Sequence, residues 1–198
     1  PGLYFEVLLG RALKELETST HTIERSGSHS IPVFDTDDVV KLLGAPKVQE
    51  YLADMLASFT RVESYVTSVR VRRGVWRRVR YNDMDIDSLQ RFCATADEEQ
   101  RLSFYKRIAD VCLFVTGILG GYARFDHRYA ASGQLRPVAP GRVRRSLEEY
   151  EREGRRFYRM ASEHPTAKAL GLSGLFGVLY DKFGVASKPL SFMARHYL

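Results

Sequence analysis

The sequence predicts an all-α, multi-helix bundle of six to eight helices carrying one arginine-rich β-hairpin at about 69–81, in a single domain spanning 1–198. Three observations predict it. Apolar residues recur at alternating steps of four and three over several long segments, the period of a helix with one buried face. Gly, Pro and Asp fall between those segments, where helices start and stop. The period switches to two only once, in the arginine-rich stretch.

Residues 3–17 form the first helix. From Thr18 to Phe34, Ser, Thr, Gly and Pro dominate, which predicts a flexible loop over about 18–34. Asp35 stands where an N-cap belongs, before a short helix that Gly44 ends. Pro46 suits the first turn of the next helix. Its stripe of Val48, Leu52, Met55, Phe59, Val62 and Val66 predicts a helix over 46–67.

Residues 69–81 read VRVRRGVWRRVRY. A three-residue turn at Arg72, Arg73 and Gly74 sets Val71 opposite Val75, with Val69, Val79 and Tyr81 on the same side. Arg70, Trp76, Arg78 and Arg80 occupy the other side, and Arg77 breaks the pattern. Asp83, Asp85 and Asp87 then open a helix to about Thr95. Asp97 opens a longer one to about Leu119, striped by Leu102, Tyr105, Ile108, Cys112, Val115 and Leu119. Beyond Asp110 this helix is apolar all round, which marks it as central and predicts a buried Phe114. A second flexible connection is expected over about 122–141. The next helix covers 142–163, with Val143, Leu147, Tyr150, Gly154, Phe157 and Ala161 on one face. The tail is expected as helical pieces broken at Gly171, Gly174, Gly177 and Gly184, with Pro189 starting the last.

The bulk chemistry narrows the function classes. Twenty-three Arg against seven Lys give a net charge of +6. That balance suits an acidic partner such as nucleic acid, and equally suits solubility alone. Cys93 and Cys112 lack metal-ligand spacing and lie among apolar residues, the pattern of reduced, buried thiols in a cytoplasmic protein. The longest uncharged run, Val111 to Ala123, falls short of the ~20 apolar residues that cross a bilayer as a helix, so no membrane partner is expected.

Three constellations qualify as candidate sites. The first is the hairpin, where Arg70, Arg72, Arg73, Trp76, Arg78 and Arg80 supply guanidinium groups for phosphates and an indole for stacking. The competing reading pairs these arginines with Asp83, Asp85 and Asp87, or with a second subunit along the ribbon edge. The second is the helix around Arg145, Glu148, Glu149, Arg152, Glu153 and Arg156, whose interleaved signs predict a self-paired, solvated surface. The third is Arg107, Asp110, Tyr150 and Tyr158. A helix packing closely over Gly154 brings the tyrosine hydroxyls towards Asp110. The result is either a small-ligand pocket or a satisfied core network that fixes helix register, and the network is favoured.

No catalytic motif is recognisable. Ser173 in GLSGL lacks the second glycine of a nucleophile elbow. The chain has no phosphate-cradling glycine loop and no dinucleotide fingerprint, and its five histidines are scattered. No cofactor or metal is expected. The leading expectation is a non-catalytic interaction protein that self-associates or binds a protein partner. Nucleic-acid binding by the hairpin and a ligand pocket at Asp110 are the alternatives.

Three segments carry a resemblance, one of them YLADMLASF (Tyr51 to Phe59) with its arginine-rich hairpin. RIADVCLFVTG presents Asp110, Leu113, Phe114, Thr116 and Gly117, and SLEEYEREGRRFYRMAS presents Tyr150, Gly154, Arg155 and Tyr158. Together they resemble a family of small uncharacterised bacterial proteins with a Gly-Asp-x-x-Leu-Phe-x-Thr-Gly helix and a Tyr-x-x-x-Gly-Lys/Arg-x-x-Tyr helix. Ala109 replaces the more usual glycine. The resemblance spans about 48–162 and implies a bacterial, cytoplasmic, helical protein; it implies no activity.

Overall fold

A computed structural model describes residues 1–26, 29–33, 35–61, 64–72, 75–120 and 145–198, with the side chains of 24–26, 29, 30, 64–72 and 75–82 outside that description. The element order is α1 (Gly2–Glu17), β1 (Thr22–Ser26), β2 (His29–Val33), α2 (Thr36–Leu43), α3 (Pro46–Ser58), β3 (Ser64–Arg72), β4 (Val75–Asn82), α4 (Ile86–Thr95), α5 (Glu98–Gly117), α6 (Leu147–Glu163), α7 (Pro165–Ala169), α8 (Ser173–Asp181) and α9 (Phe183–His196). The chain is a helical bundle. Nine helices lie within the described residues, one more than the upper bound expected.

The central helix is α5, which packs on α6, α9 and α4, while α1 packs on α3, α2 and α9. Its second half buries Ile108, Ala109, Val111, Cys112, Leu113 and Val115. The expected all-round burial has exceptions: Phe114, Thr116, Ile118 and Leu119 are only partly buried, and Phe114 lies against Phe59, with ring centroids 4.4 Å apart. Two glycines set the spacing of the bundle. A Cβ on Gly154 would stand 2.4 Å and 2.6 Å from the Phe183 ring and 2.8 Å from Cys112 Cβ, so α5 and α9 close over α6 where only hydrogen fits. A Cβ on Gly117 would meet Leu190 Cβ at 2.6 Å, and Ser191 Oγ donates to the Gly117 carbonyl at 2.8 Å.

Several boundaries depart from the sequence reading. The helix expected over 46–67 ends at Ser58, because Ser58 Oγ and Thr60 Oγ1 turn back to the carbonyls of Met55 and Ala57. Val66 of its stripe belongs to β3, where Tyr65, Val66, Thr67 and Val69 favour extended backbone, and Val62 lies outside the described residues. The segment 18–34, expected as a loop, holds a second antiparallel hairpin in which Thr22 pairs with Val33 and Glu24 with Ile31. The expected single hairpin is therefore two. Val143 and the connection expected over 122–141 lie outside the described residues.

The helix expected from Arg142 begins after Ser146, where a capping box forms: Glu149 N donates to Ser146 Oγ at 3.2 Å, and Ser146 N donates to Glu149 Oε2 at 2.6 Å. In the tail, only Gly171 acts as a breaker. Its φ of +69° ends α7, and Leu172 N reaches back to the Ala167 carbonyl at 2.9 Å. Gly174 and Gly177 lie inside α8 and Gly184 inside α9. Pro189 lies within α9, with its ring buried in the core, and does not start a helix.

The β3–β4 ribbon is the expected arginine-rich hairpin, longer at both ends than 69–81. Val69 pairs with Arg77, Thr67 with Val79 and Tyr65 with Tyr81. Near the turn the register differs from expectation: Arg72, not Val71, stands opposite Val75, and the ladder shifts between Arg70 and Arg72 as it does at a bulge.

Replacing Gly154 with Ala tests the helix spacing. The added methyl group has no room against Phe183 and Cys112, so the variant should lose about 1–3 kcal/mol. A Gly154→Ala protein whose denaturant midpoint matches wild type would show that these helices do not approach as described.

Candidate functional site

A carboxylate buried with zero exposure lies at the centre of the bundle. Asp110, midway along α5, accepts hydrogen bonds at Oδ1 from Tyr51 Oη at 2.6 Å and from Tyr158 Oη at 2.8 Å. Lys106 Nζ, one turn back on α5, reaches Oδ2 at 2.7 Å and also lies 4.9 Å from the centre of the Tyr51 ring. Three helices meet here: Tyr51 comes from α3, Asp110 and Lys106 from α5, and Tyr158 from α6. Both tyrosine rings border Phe176 of α8, which closes the cluster with apolar surface. Burial holds the Tyr51 and Tyr158 phenols well above their ordinary pKa, and the adjacent Asp110 carboxylate raises both further.

Of the four residues that the sequence groups here, Asp110 and Tyr158 come together. Arg107 and Tyr150 do not bond to Asp110, and their places are taken by Lys106 and Tyr51. Positions 106 and 107 both lie one turn before 110, but the Arg107 guanidinium is turned to Asp83 and Ser58, and Lys106 takes Asp110 Oδ2. Tyr150 is half-buried beside Cys112, Arg145 and Asp87, and burial raises its phenol pKa. Burial likewise pushes up the Cys112 and Cys93 thiols, so neither is an activated nucleophile. Tyr51 escapes the sequence reading because nothing local links 51 to 110, although its place on the buried face of α3 was visible.

Arg107 instead anchors the root of the β3–β4 ribbon. Its Nε donates to the Asp83 carbonyl at 3.2 Å, Nη2 pairs with the Asp83 carboxylate, and Nη1 donates to Ser58 Oγ at 2.8 Å. The guanidinium also lies 4.1 Å from the centre of the Phe59 ring. Ser58 ends α3 and Asp83 directly follows β4, so one side chain ties the end of α3 and the end of the ribbon to α5.

The ribbon ladder pairs Arg70 with Trp76, Ser68 with Arg78 and Val66 with Arg80. Arg70, Trp76, Arg78 and Arg80 thus hold register positions of one face, as expected. Arg72 ends β3, and Arg73 lies outside the described residues. The α6 surface is self-paired as predicted, with Arg152–Glu149 at 3.9 Å, Arg156–Glu153 at 3.5 Å and Arg159–Glu163 at 3.0 Å. These arginines line an open groove of about 450 Å³ together with Glu148, Glu151 and Tyr180. Arg145 leaves this surface and pairs with Asp87 at 2.5 Å.

No family model matches the chain, and no curated protein or solved structure matches it.

Two measurements test the buried network. Tyr51→Phe and Tyr158→Phe should each cost about 1.5–3 kcal/mol, the range for a hydrogen bond to a charged group. Their double mutant should deviate from the sum, because both donate to one oxygen; additive losses would contradict a shared acceptor. The pH dependence has a fixed sign. In the unfolded chain both phenols ionise near pH 10, whereas in the folded chain they keep their protons to higher pH. The stability they supply is complete below pH 10 and falls as pH rises through and beyond it. Ultraviolet titration of the 11 tyrosines should therefore leave two protonated until the chain unfolds. Ionisation of all the tyrosines in a still-folded chain would contradict this.

Proposed function

We propose that the chain is a non-catalytic interaction protein whose docking element is the β3–β4 ribbon, and that its first partner is a second copy of itself. One observation carries the reading: the ribbon is a sheet of two strands only, so each strand has an outer edge with no strand partner among the described residues. A two-stranded hairpin is marginally stable alone in water, and an open edge is a template for another strand. The Arg107 clamp supports this use, since it holds the ribbon at a fixed place on the bundle. The Asp110 cluster does not favour a ligand pocket, because both carboxylate oxygens already accept protein hydrogen bonds. The setting proposed is a bacterial cytoplasm; among the described residues no helix is long and apolar enough to cross a membrane.

The ladder register favours a second reading, nucleic-acid binding by the same ribbon. Four of its register positions on one face carry three arginines and a tryptophan, a pattern suited to phosphates and to an unstacked base.

Salt separates the two readings with opposite signs. Two ribbons that each carry six arginines repel one another, and salt screens that repulsion, so self-association should strengthen as salt rises. Nucleic-acid binding should weaken steeply over the same range. Light scattering coupled to chromatography, on nuclease-treated protein across a salt series, reads the first. Retention of a labelled single-stranded oligonucleotide reads the second. A dimer that persists when residues 66–80 are replaced by a short glycine turn would overturn self-association through the ribbon. A monomer at every salt concentration that also fails to bind the oligonucleotide would overturn both readings.

A further inference from the structure

The described strands form two separate sheets of two, β1 with β2 and β3 with β4, so each strand has one outer edge. The four edges differ in what guards them against another strand. β1 carries Glu24 and Arg25, and β2 carries Pro32, which has no N–H to give to a ladder. β4 carries Arg77, Arg78 and Arg80. In β3, Ser64, Tyr65, Val66, Thr67, Ser68 and Val69 run without a charge or a proline, and Arg70 and Arg72 come only at its end. Tyr, Val and Thr also favour extended backbone. Resting on the reading that the ribbon self-associates, we propose that its pairing edge is β3 over 64–69. This segment joins the same segment of a second copy, antiparallel, about a two-fold axis at Val66 or Thr67.

Charge decides between the two strands of the ribbon. Identical edges related by a two-fold axis pair antiparallel, and the axis passes between one residue and its own copy. An axis at Val66 sets Tyr65 opposite Thr67 and Ser64 opposite Ser68. An axis at Thr67 sets Val66 opposite Ser68, Tyr65 opposite Val69 and Ser64 opposite Arg70. Within β3 neither register sets arginine opposite arginine. The two Arg70 positions fall at opposite ends of the pair, roughly 20 Å or more apart and well beyond the screening length. β4 behaves in the opposite way. An axis at Arg77, Arg78 or Arg80 sets that arginine against its own copy, and one at Val79 sets Arg78 against Arg80. Like charges directly opposite destabilise a ladder. Pairing through β3 builds a four-stranded sheet in the order β4–β3–β3–β4. The arginine-bearing strand then forms both outer edges, where its charge discourages further addition and closes the assembly at two copies.

Disulfide trapping in the full chain reads the pairing edge. Val66→Cys and Thr67→Cys probe β3, and their ladder partners Arg80→Cys and Val79→Cys probe β4. The native Cys93 and Cys112 are buried and common to all four variants. A residue opposite its own copy lies within the ~4.4–6.8 Å that a disulfide spans, whereas the β4 residues of two copies stand about 14 Å apart, three strand spacings. Under mild oxidation Val66→Cys or Thr67→Cys should give a cross-linked dimer, and Val79→Cys and Arg80→Cys should not. A second measurement needs no oxidation: Thr67→Lys should raise the dimer dissociation constant about tenfold or more, and Val79→Lys far less. Trapping at 79 or 80 in place of 66 or 67, equal trapping at all four positions, or a dimer trapped at none would overturn pairing through β3 and leave ribbon self-association standing. A monomer at every salt concentration would overturn self-association itself, and this inference with it.

Discussion

A carboxylate with no exposure to water must be met by donors from its surroundings, and here those donors arrive from separate helices. Asp110 receives two phenol hydroxyls at one oxygen and a lysine ammonium at the other. Removing any of them leaves a charged oxygen short of a partner in an apolar interior, a penalty larger than the bond itself is worth when made. The requirement is directional, whereas apolar burial is not. Hydrophobic stripes would let α3 and α6 slide or rotate on α5 at modest cost, but hydrogen bonds of 2.6 Å and 2.8 Å to one oxygen fix both helices in register at once. Gly154 works with this constraint: it lies one turn from Tyr158 on α6, and its missing side chain lets α6 come close enough for the hydroxyl to reach.

Lys106 completes the arrangement from the edge of the core. Its side chain is 40% exposed, so water as well as Asp110 solvates the ammonium, and the charge of the pair is not sealed inside the protein. The next residue, Arg107, faces another way and serves another purpose. It ties the end of α3 at Ser58 to Asp83, the residue after β4, so the ribbon finishes at an anchored point. Two adjacent basic residues on one helix therefore divide between holding the core and holding the appendage. In the same way, Asp35, expected from sequence as a helix cap, uses its carboxylate to join β1 to α9 through Thr22 and Lys188.

Much of this was legible in the residues. The 3.6-residue stripes located α1, α5 and most of α6, and the switch to period two located the arginine-rich ribbon, with its register as expected away from the turn and shifted near it. Asp110, Tyr158 and Gly154 stood out because a lone carboxylate in an apolar run demands partners and a glycine in a striped helix invites close packing. What the sequence hid was of two kinds. Some features depend on contacts distant along the chain: Tyr51 meets Asp110 across 59 positions, and no local pattern encodes that meeting. Others were hidden by composition. Half of the residues of β1 and β2 are Ser, Thr, His or Pro, so their few alternating apolar residues were outweighed. The end of α3 at Ser58 was hidden because its stripe continues, by coincidence of spacing, into the strand that follows.

The central claim is that Asp110 organises the bundle and does more than tolerate burial. Its most direct test is Asp110→Ala, followed by denaturant unfolding together with near-ultraviolet circular dichroism. The side chain is truncated while two phenol hydroxyls remain buried without their acceptor. The account predicts a loss of about 3–5 kcal/mol together with a weakened aromatic signal, as tyrosines once held in fixed orientations become mobile. An unchanged midpoint with an unchanged aromatic spectrum would mean that apolar packing alone sets the register of these helices.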